Sequence, residues 1–288
     1  MKVPVGALLF AVLGVTSAVP AGAQSQPAAQ TSTPAVLMIY REEVRPGKGS
    51  VHAANEAAWA AAFAKGQAPV QWLGMTSLAG PSEAWFLSGY PSWEAFERTE
   101  AEMDANAAFT ADEDKFSGNE SDMLSRTSVI AAAYRPELSY QANISLPQMR
   151  YMMVEVFRVK PGHGDEFRNT WEVIIAAHGK AKMDEHWAVY EMDAGGQDLT
   201  FFFFYPRKSL AEIDKSGPMH TSDTYRNAVG EGGRQRQREM TRQSVEMAQT
   251  LVFQLRPQMS LLGKEWMDAD PGFWTPKPPA PPAKPVKK

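Results

Sequence analysis

The sequence predicts an α+β fold, two tandem βαββαβ units packed sheet to sheet, on three observations. First, "REEVRPGKGSV" at residues 41–51 and "EVFRVKPGHGDEF" at 155–167 share a strand-like run, a Pro-Gly-x-Gly corner and a helix-like continuation. Second, Pro46 and Pro161, Trp72 and Trp187, Gly80 and Gly195, and Pro91 and Pro206 all stand 115 residues apart. A constant spacing across four separate landmarks reads as one unit written twice. Third, "AAYRPELS" and "FQLRPQMS" match at an offset of 121, so the second copy carries an insertion in its late helical region.

Each copy opens on a β-branched, apolar strand, at 36–44 and at 151–159. The Pro-Gly-x-Gly corner ends it, because proline cannot continue a ladder and glycine permits the tight turn. A helix follows. "SVHAANEAAWAAAFAK" is alanine-rich; "DEFRNTWEVIIAAHGK" begins at Asp165, a candidate N-cap, and sets Phe167, Trp171, Ile174 and Ile175 near one face. The second strands are "QWLGMTSL" and "HWAVYEM", the turns are Gly80-Pro81 and Gly195-Gly196, and the third strands are "EAWFLSGY" and "DLTFFFFY". After Tyr-Pro, two helical pieces lead to the last strands, "SVIAAAY" and "QTLVFQL".

The order βαββαβ is the ferredoxin-like unit. One such unit has helices on one sheet face and leaves the other bare; two in one chain bury their bare faces against each other as a barrel-like core. With the "RVKPGHGDEF" corner and an aromatic residue in the next helix, the chain resembles the dimeric α/β-barrel superfamily, especially its antibiotic-biosynthesis-monooxygenase-like and NIPSNAP-like members. The resemblance covers residues 36–260 and implies an intramolecular dimeric α/β barrel, a monomeric pseudodimer. That superfamily hosts cofactor-free monooxygenases, haem-degrading enzymes, isomerases and proteins of no known activity, and fold does not select among them. The haem degraders carry an asparagine on an early strand, and neither first strand here has one. No cofactor is expected, with haem left open.

The chain begins with Lys2, an apolar run from Val3 to Val19 and a small-residue site at Ala21-Gly22-Ala23, the layout of a secretory signal peptide over residues 1–23. The run is short of the roughly 20 residues a membrane span needs. An exported protein, periplasmic or secreted, is therefore expected, with no membrane span after cleavage. Residues 24–35 read as a disordered leader, 36–145 and 146–265 as the two repeats, and 266–288 as a Pro/Lys-rich tail. There are no cysteines, so no disulfide or thiolate metal site is available. Hydrophobic residues make up 44% of the chain, and the formal net charge of -4 argues against a nucleic-acid or anionic-membrane binder.

Strand alternation suggests which side chains enter the barrel. Met152, Val154 and Val156 form an uninterrupted apolar set suited to lie under helices, leaving Glu155 to face inward. The same reasoning directs Trp187, Val189 and Glu191, and then Thr250 and Gln254, into the interior, with Tyr40, Trp72 and Thr76 from the first copy. Polar groups then concentrate in the second half. Glu155 and Glu191 are the candidate acid–base pair, since carboxyls in an apolar cavity have raised pKa values; Tyr40, Trp72, Trp187, Thr250 and Gln254 are candidate ligand contacts. A register error of one residue would turn both glutamates outward, to a rim or to an arginine such as Arg158. His178 and His186 flank "GKAKMDE" without a compact metal-ligand spacing, and His52 and His220 have no evident partner, so no metal residues are assigned.

Two functions follow. One is a small-molecule binder or enzyme acting on an apolar or aromatic molecule in a cavity between the repeats; as an enzyme it would be a cofactor-independent monooxygenase-like or proton-transfer catalyst. The other is a non-catalytic structural or interaction module with a filled core. An open polar cavity favours the first and an interior packed with apolar chains the second.

Overall fold

The structure, a computed structural model, describes residues 33–143, 145–216 and 223–275. The proposed signal peptide, residues 24–32 of the leader and residues 276–288 of the tail lie outside the described residues. Among the described residues no helix is long and apolar enough to cross a membrane.

The first half contains β1 (Val36–Val44), α1 (Gly49–Gly66), β2 (Leu73–Ala79), β3 (Glu83–Tyr90), α2 (Trp93–Asp104), α3 (Ala107–Glu120) and β4 (Leu124–Tyr134). The second contains β5 (Tyr151–Val159), α4 (Gly164–Ala181), β6 (Ala188–Ala194), β7 (Thr200–Arg207), α5 (Ala211–Ser216), α6 (Asp223–Ser244) and β8 (Val245–Leu255), followed by the short helices α7 (Lys264–Ala269) and α8 (Pro271–Trp274). The eight antiparallel strands close into a barrel in the order β1-β3-β2-β8-β5-β7-β6-β4.

Each half therefore runs last strand, first, third, second. The halves meet edge to edge as well as face to face: Met75 pairs with Leu255 at the β2–β8 seam and Tyr134 with Tyr190 at the β4–β6 seam. Closure of this kind leaves no strand edge exposed. The two Pro-Gly corners are alike, with Gly47 at φ 79° and Gly162 at φ 85° and the next amide returning to the strand end, Lys48 N–H to Arg45 O at 3.0 Å and His163 N–H to Lys160 O at 3.1 Å. His163 stands at the N-cap position of α4 without a side-chain capping bond, and Asp165 falls in the first turn rather than at the cap.

The interior is solid. Directly opposed residues share a sheet face, and the pairs Ile39↔Leu87, Met75↔Trp85, Val154↔Leu251 and Val154↔Phe204 trace one apolar cluster drawn from both halves. Ile39, Met75, Trp85, Val154 and Phe253 have no exposed surface at all. The Trp85 ring lies 4.9 Å from that of Phe253 and 6.3 Å from that of Phe202. The expected cavity between the repeats is thus occupied by side chains. One end is plugged by the chain after β8: Trp274 is buried in the same cluster and donates its indole N–H to Pro147 O at 2.7 Å, with Trp266 and Phe273 packed beside it. Residues 266–275, assigned by composition to the tail, include this plug. By strand register the other end carries Arg41, whose guanidinium lies 4.6 Å over Trp85 and donates to Glu83 at 2.9 Å, while Trp85 donates to the same carboxylate at 2.5 Å.

Candidate functional site

The seven predicted site residues all lie on the outer face of the barrel wall, not inside it. Met152, Val154 and Val156 are the residues that enter the barrel, and Glu155 faces the helices. The cause is local: "YMMVEVFRV" carries apolar residues on both faces, because a barrel strand is covered by the interior on one side and by helices on the other. Period-two alternation then cannot tell inside from outside, and a one-residue shift inverts every side chain.

Four of the seven belong to the barrel seams. Trp187 donates its indole N–H to Leu138 O at 2.8 Å, and Trp72 donates to Met259 O at 2.8 Å. Each tryptophan stands just before the second strand of one half and grips the turn after the last strand of the other. The same exchange recurs around them: Val189 N–H donates to Ser139 Oγ and Gly74 N–H to Ser260 Oγ, both at 2.9 Å. Arg135 donates to Glu191 at 2.6 Å, where Arg256 donates to Thr76 Oγ1 at 2.7 Å. Glu191 also accepts from Arg168 of α4 at 2.8 Å. It is a buried ion-pair centre with both carboxylate oxygens occupied, by Arg135 and Arg168 rather than Arg158, which pairs with Glu246. Gln254 is half-buried beside Thr76 on the same seam.

Glu155 differs. Its carboxylate accepts one hydrogen bond, from the Tyr205 hydroxyl at 3.1 Å, and burial holds its pKa above the usual carboxyl range against the opposing pull of that bond and of Arg207. Arg207 is itself spent on Glu185, 2.9 Å away and equally buried. Opposite Glu155 on β8 stands Thr250, which is exposed; Met153 and Val252 on one side and Phe157 on the other are half-buried. At the position equivalent to Glu155 in the first half is Tyr40, packed with Tyr90 and Phe96 and raised to about 12 by burial and by Glu100 and Glu113. The structure therefore brings Glu155 and Thr250 together, and separates both from Glu191, Trp72 and Tyr40.

Sequence reasoning missed a polar nest in the first half, between β1 and α1. His52 and Glu56 are one helical turn apart and both buried, facing Glu42 of β1. His52 Nε2 is 2.6 Å from Glu42 Oε2 and 3.9 Å from Glu56 Oε1. Burial, then Glu42 and Glu120, push Glu56 up to about 8; burial and Glu42 push Glu120 to about 7. In the second half the positions 115 residues on are Phe157, Phe167 and Trp171, rings 5.7–6.2 Å apart. The signal in the sequence was His52-x-x-x-Glu56, a spacing of about one helical turn that sets both side chains on one face of α1. Three donor atoms, one imidazole nitrogen and two carboxylate oxygens, lie within 4.8 Å of one another there, the one such group of potential metal ligands among the described residues.

A haem does not fit beneath α4. His178, the buried histidine there, bonds Ile174 O through Nδ1 at 2.8 Å and is enclosed by the rings of Tyr140, Trp187 and Tyr225 at 5.0–5.6 Å, which leaves no space for a macrocycle.

No protein-family model and no curated protein matches the chain. Among solved structures, a monooxygenase-like protein from Fusobacterium nucleatum aligns with TM-score 0.49 and 14% identity over 77% of this chain and 93% of its own. An anthrone oxidase-like protein aligns with TM-score 0.47 and 10% identity over 81% and 96%. A chlorite dismutase variant from Candidatus Nitrospira defluvii aligns with TM-score 0.46 and 8% identity over 83% and 96%. At these values the likenesses carry no conclusion about chemistry, and the closed barrel stands on its own strand order.

Proposed function

We propose that the chain is an exported α/β barrel, a tandem duplication of one ferredoxin-like unit acting as its own dimer, that binds a small apolar or aromatic molecule against the outer wall of its second half. Proton transfer by Glu155 is the chemistry suited to that place. The observation supporting this reading is the setting of Glu155: a carboxyl raised by burial, held by one tyrosine and flanked by Met153, Val252 and Phe157, which are only partly covered. A carboxyl with a raised pKa keeps its proton to higher pH than a solvated one and can pass it to a ligand beside it. Thr250 supplies a hydroxyl on the exposed side.

The filled interior supports a second reading, a non-catalytic module whose barrel is a scaffold. One experiment separates them. The protein is purified from its native host and from a Glu155→Gln strain, and bound small molecules are identified by native mass spectrometry. A ligand retained by the natural protein and lost or weakened at least about tenfold in the variant supports the first reading. Recovery of no ligand, or of one held equally by both, supports the scaffold.

A further inference from the structure

The nest between β1 and α1 has no explanation in the fold. At the matching place the second half packs Phe157, Phe167 and Trp171, so the architecture accepts an apolar filling there. The first half instead buries an imidazole and carboxylates, which is unfavourable unless something compensates them.

Elsewhere the compensation is visible. Glu83 has Arg41, Glu191 has Arg135 and Arg168, and Glu185 has Arg207. Glu42, Glu56 and Glu120 have no lysine or arginine within ion-pair distance among the described residues. Their contacts are His52, shared by Glu42 and Glu56, and the side-chain amide of Asn55, which donates to Glu56 at 3.2 Å. Glu120, at the end of α3, has its Oε1 shut away from solvent without a hydrogen-bond partner, within electrostatic reach of Glu42 and His52. Three carboxylates thus converge on one imidazole, and a positive charge is what the place lacks.

We infer that Glu42, His52 and Glu56 bind a divalent first-row metal ion, with Glu120 the nearest further carboxylate. The geometry fits. Zinc and its neighbours take imidazole nitrogen and carboxylate oxygen at about 2.0–2.2 Å, which keeps ligand atoms of one ion within about 4.4 Å of each other. The three donor atoms lie within 4.8 Å of one another, a few tenths of an ångström from that limit, and the 2.6 Å approach of His52 Nε2 to Glu42 must open for an ion to enter between them. One nitrogen with oxygens and no thiolate selects Zn²⁺ or Mn²⁺ over copper(I) or iron–sulfur chemistry. The His52–Glu56 pair at i, i+4 on a rigid helix fixes two donors on one face, and Glu42 supplies the third from the strand.

The test is calorimetric titration of the purified, chelator-treated chain with Zn²⁺ and with Mn²⁺. One equivalent should bind with micromolar or tighter affinity, and Glu56→Gln and His52→Gln should each weaken it at least about tenfold. His186→Gln, beside Asp184 on the surface, should leave it unchanged. Failure of both ions to bind one-to-one, or binding indifferent to Glu56→Gln and His52→Gln, overturns the assignment. Should those variants not fold, X-ray absorption on the zinc-loaded natural chain decides. One imidazole with oxygen donors at about 2.0–2.2 Å supports the site; two or more imidazoles place the ion elsewhere and overturn it.

Discussion

The indole N–H of Trp187 ends on the carbonyl oxygen of Leu138, 2.8 Å away, and so ties the second strand of one half to the turn that closes the other. Trp72 and Met259 repeat the tie at the opposite seam. Both residues of the first pair are fully buried, so the carbonyl has no water to fall back on. Trp187→Phe keeps most of the packing and removes the donor, and should cost about 1–3 kcal/mol of unfolding free energy in urea titration. Trp72→Phe, at a half-buried site, should cost less.

The repeat and its corners made the barrel legible: a constant offset marks equivalent elements whatever their side chains do. The face of each strand was not legible. Glu155 was directed inward because Met152, Val154 and Val156 look like a helix-facing set, yet a strand covered on both sides gives two apolar sets and no tie-breaker. Glu191 and Trp187 looked like a pocket wall because their partners, Arg135, Arg168 and Leu138, lie 23 to 56 residues away and no local pattern announces them. The nest was half-legible. The turn spacing of His52 and Glu56 stood in the sequence, but Glu42 joins them only through the fold of the Pro-Gly corner.

Gly195 holds the β4–β6 seam by being small. Its φ is +93°, and a Cβ there would lie 2.1 Å from the backbone oxygen of Val129, which cannot swing aside. Gly80, the matching residue, would meet only the Leu251 side-chain terminus, at 2.5 Å. Gly195→Ala should therefore cost at least about 1–3 kcal/mol, and more than Gly80→Ala, as read from the two urea midpoints.

Glu191 should prove structural. Glu191→Gln removes a buried charge between two arginines and leaves their guanidiniums one-third exposed, so water can replace part of what is lost. A loss of roughly 1–3 kcal/mol in stability is expected, with affinity for any molecule bound beside Glu155 unchanged. A loss of affinity without loss of stability would return Glu191 to the site.

The filled interior makes its own demand. Phe253 has no exposed surface and packs 4.9 Å from Trp85 at the centre of the barrel. Phe253→Ala should cost about 3–5 kcal/mol, because interlocked neighbours cannot collapse into the space. An open interior would relax at much lower cost, so urea unfolding of this one variant measures how solid the barrel is.

The pH dependence of stability should carry the mark of Glu155. Burial raises its folded-state carboxyl above the unfolded one, so at pH below the unfolded value both states hold the proton and folding bears no penalty. As pH rises, the unfolded chain releases the proton first, while the folded chain must keep it or bury a charge whose one hydrogen bond among the described residues comes from Tyr205. Stability from this group is thus full in acid and is lost as pH rises through the folded value. Glu155→Gln cannot titrate, and its amide oxygen can still accept from Tyr205. Relative to the natural protein, the variant should gain stability as pH climbs from the unfolded carboxyl value through the raised folded one, then hold that difference level. Unfolding free energies of both proteins at half-unit pH steps read the difference directly, and a flat difference across the range would mean that Glu155 is as well solvated as any surface carboxyl.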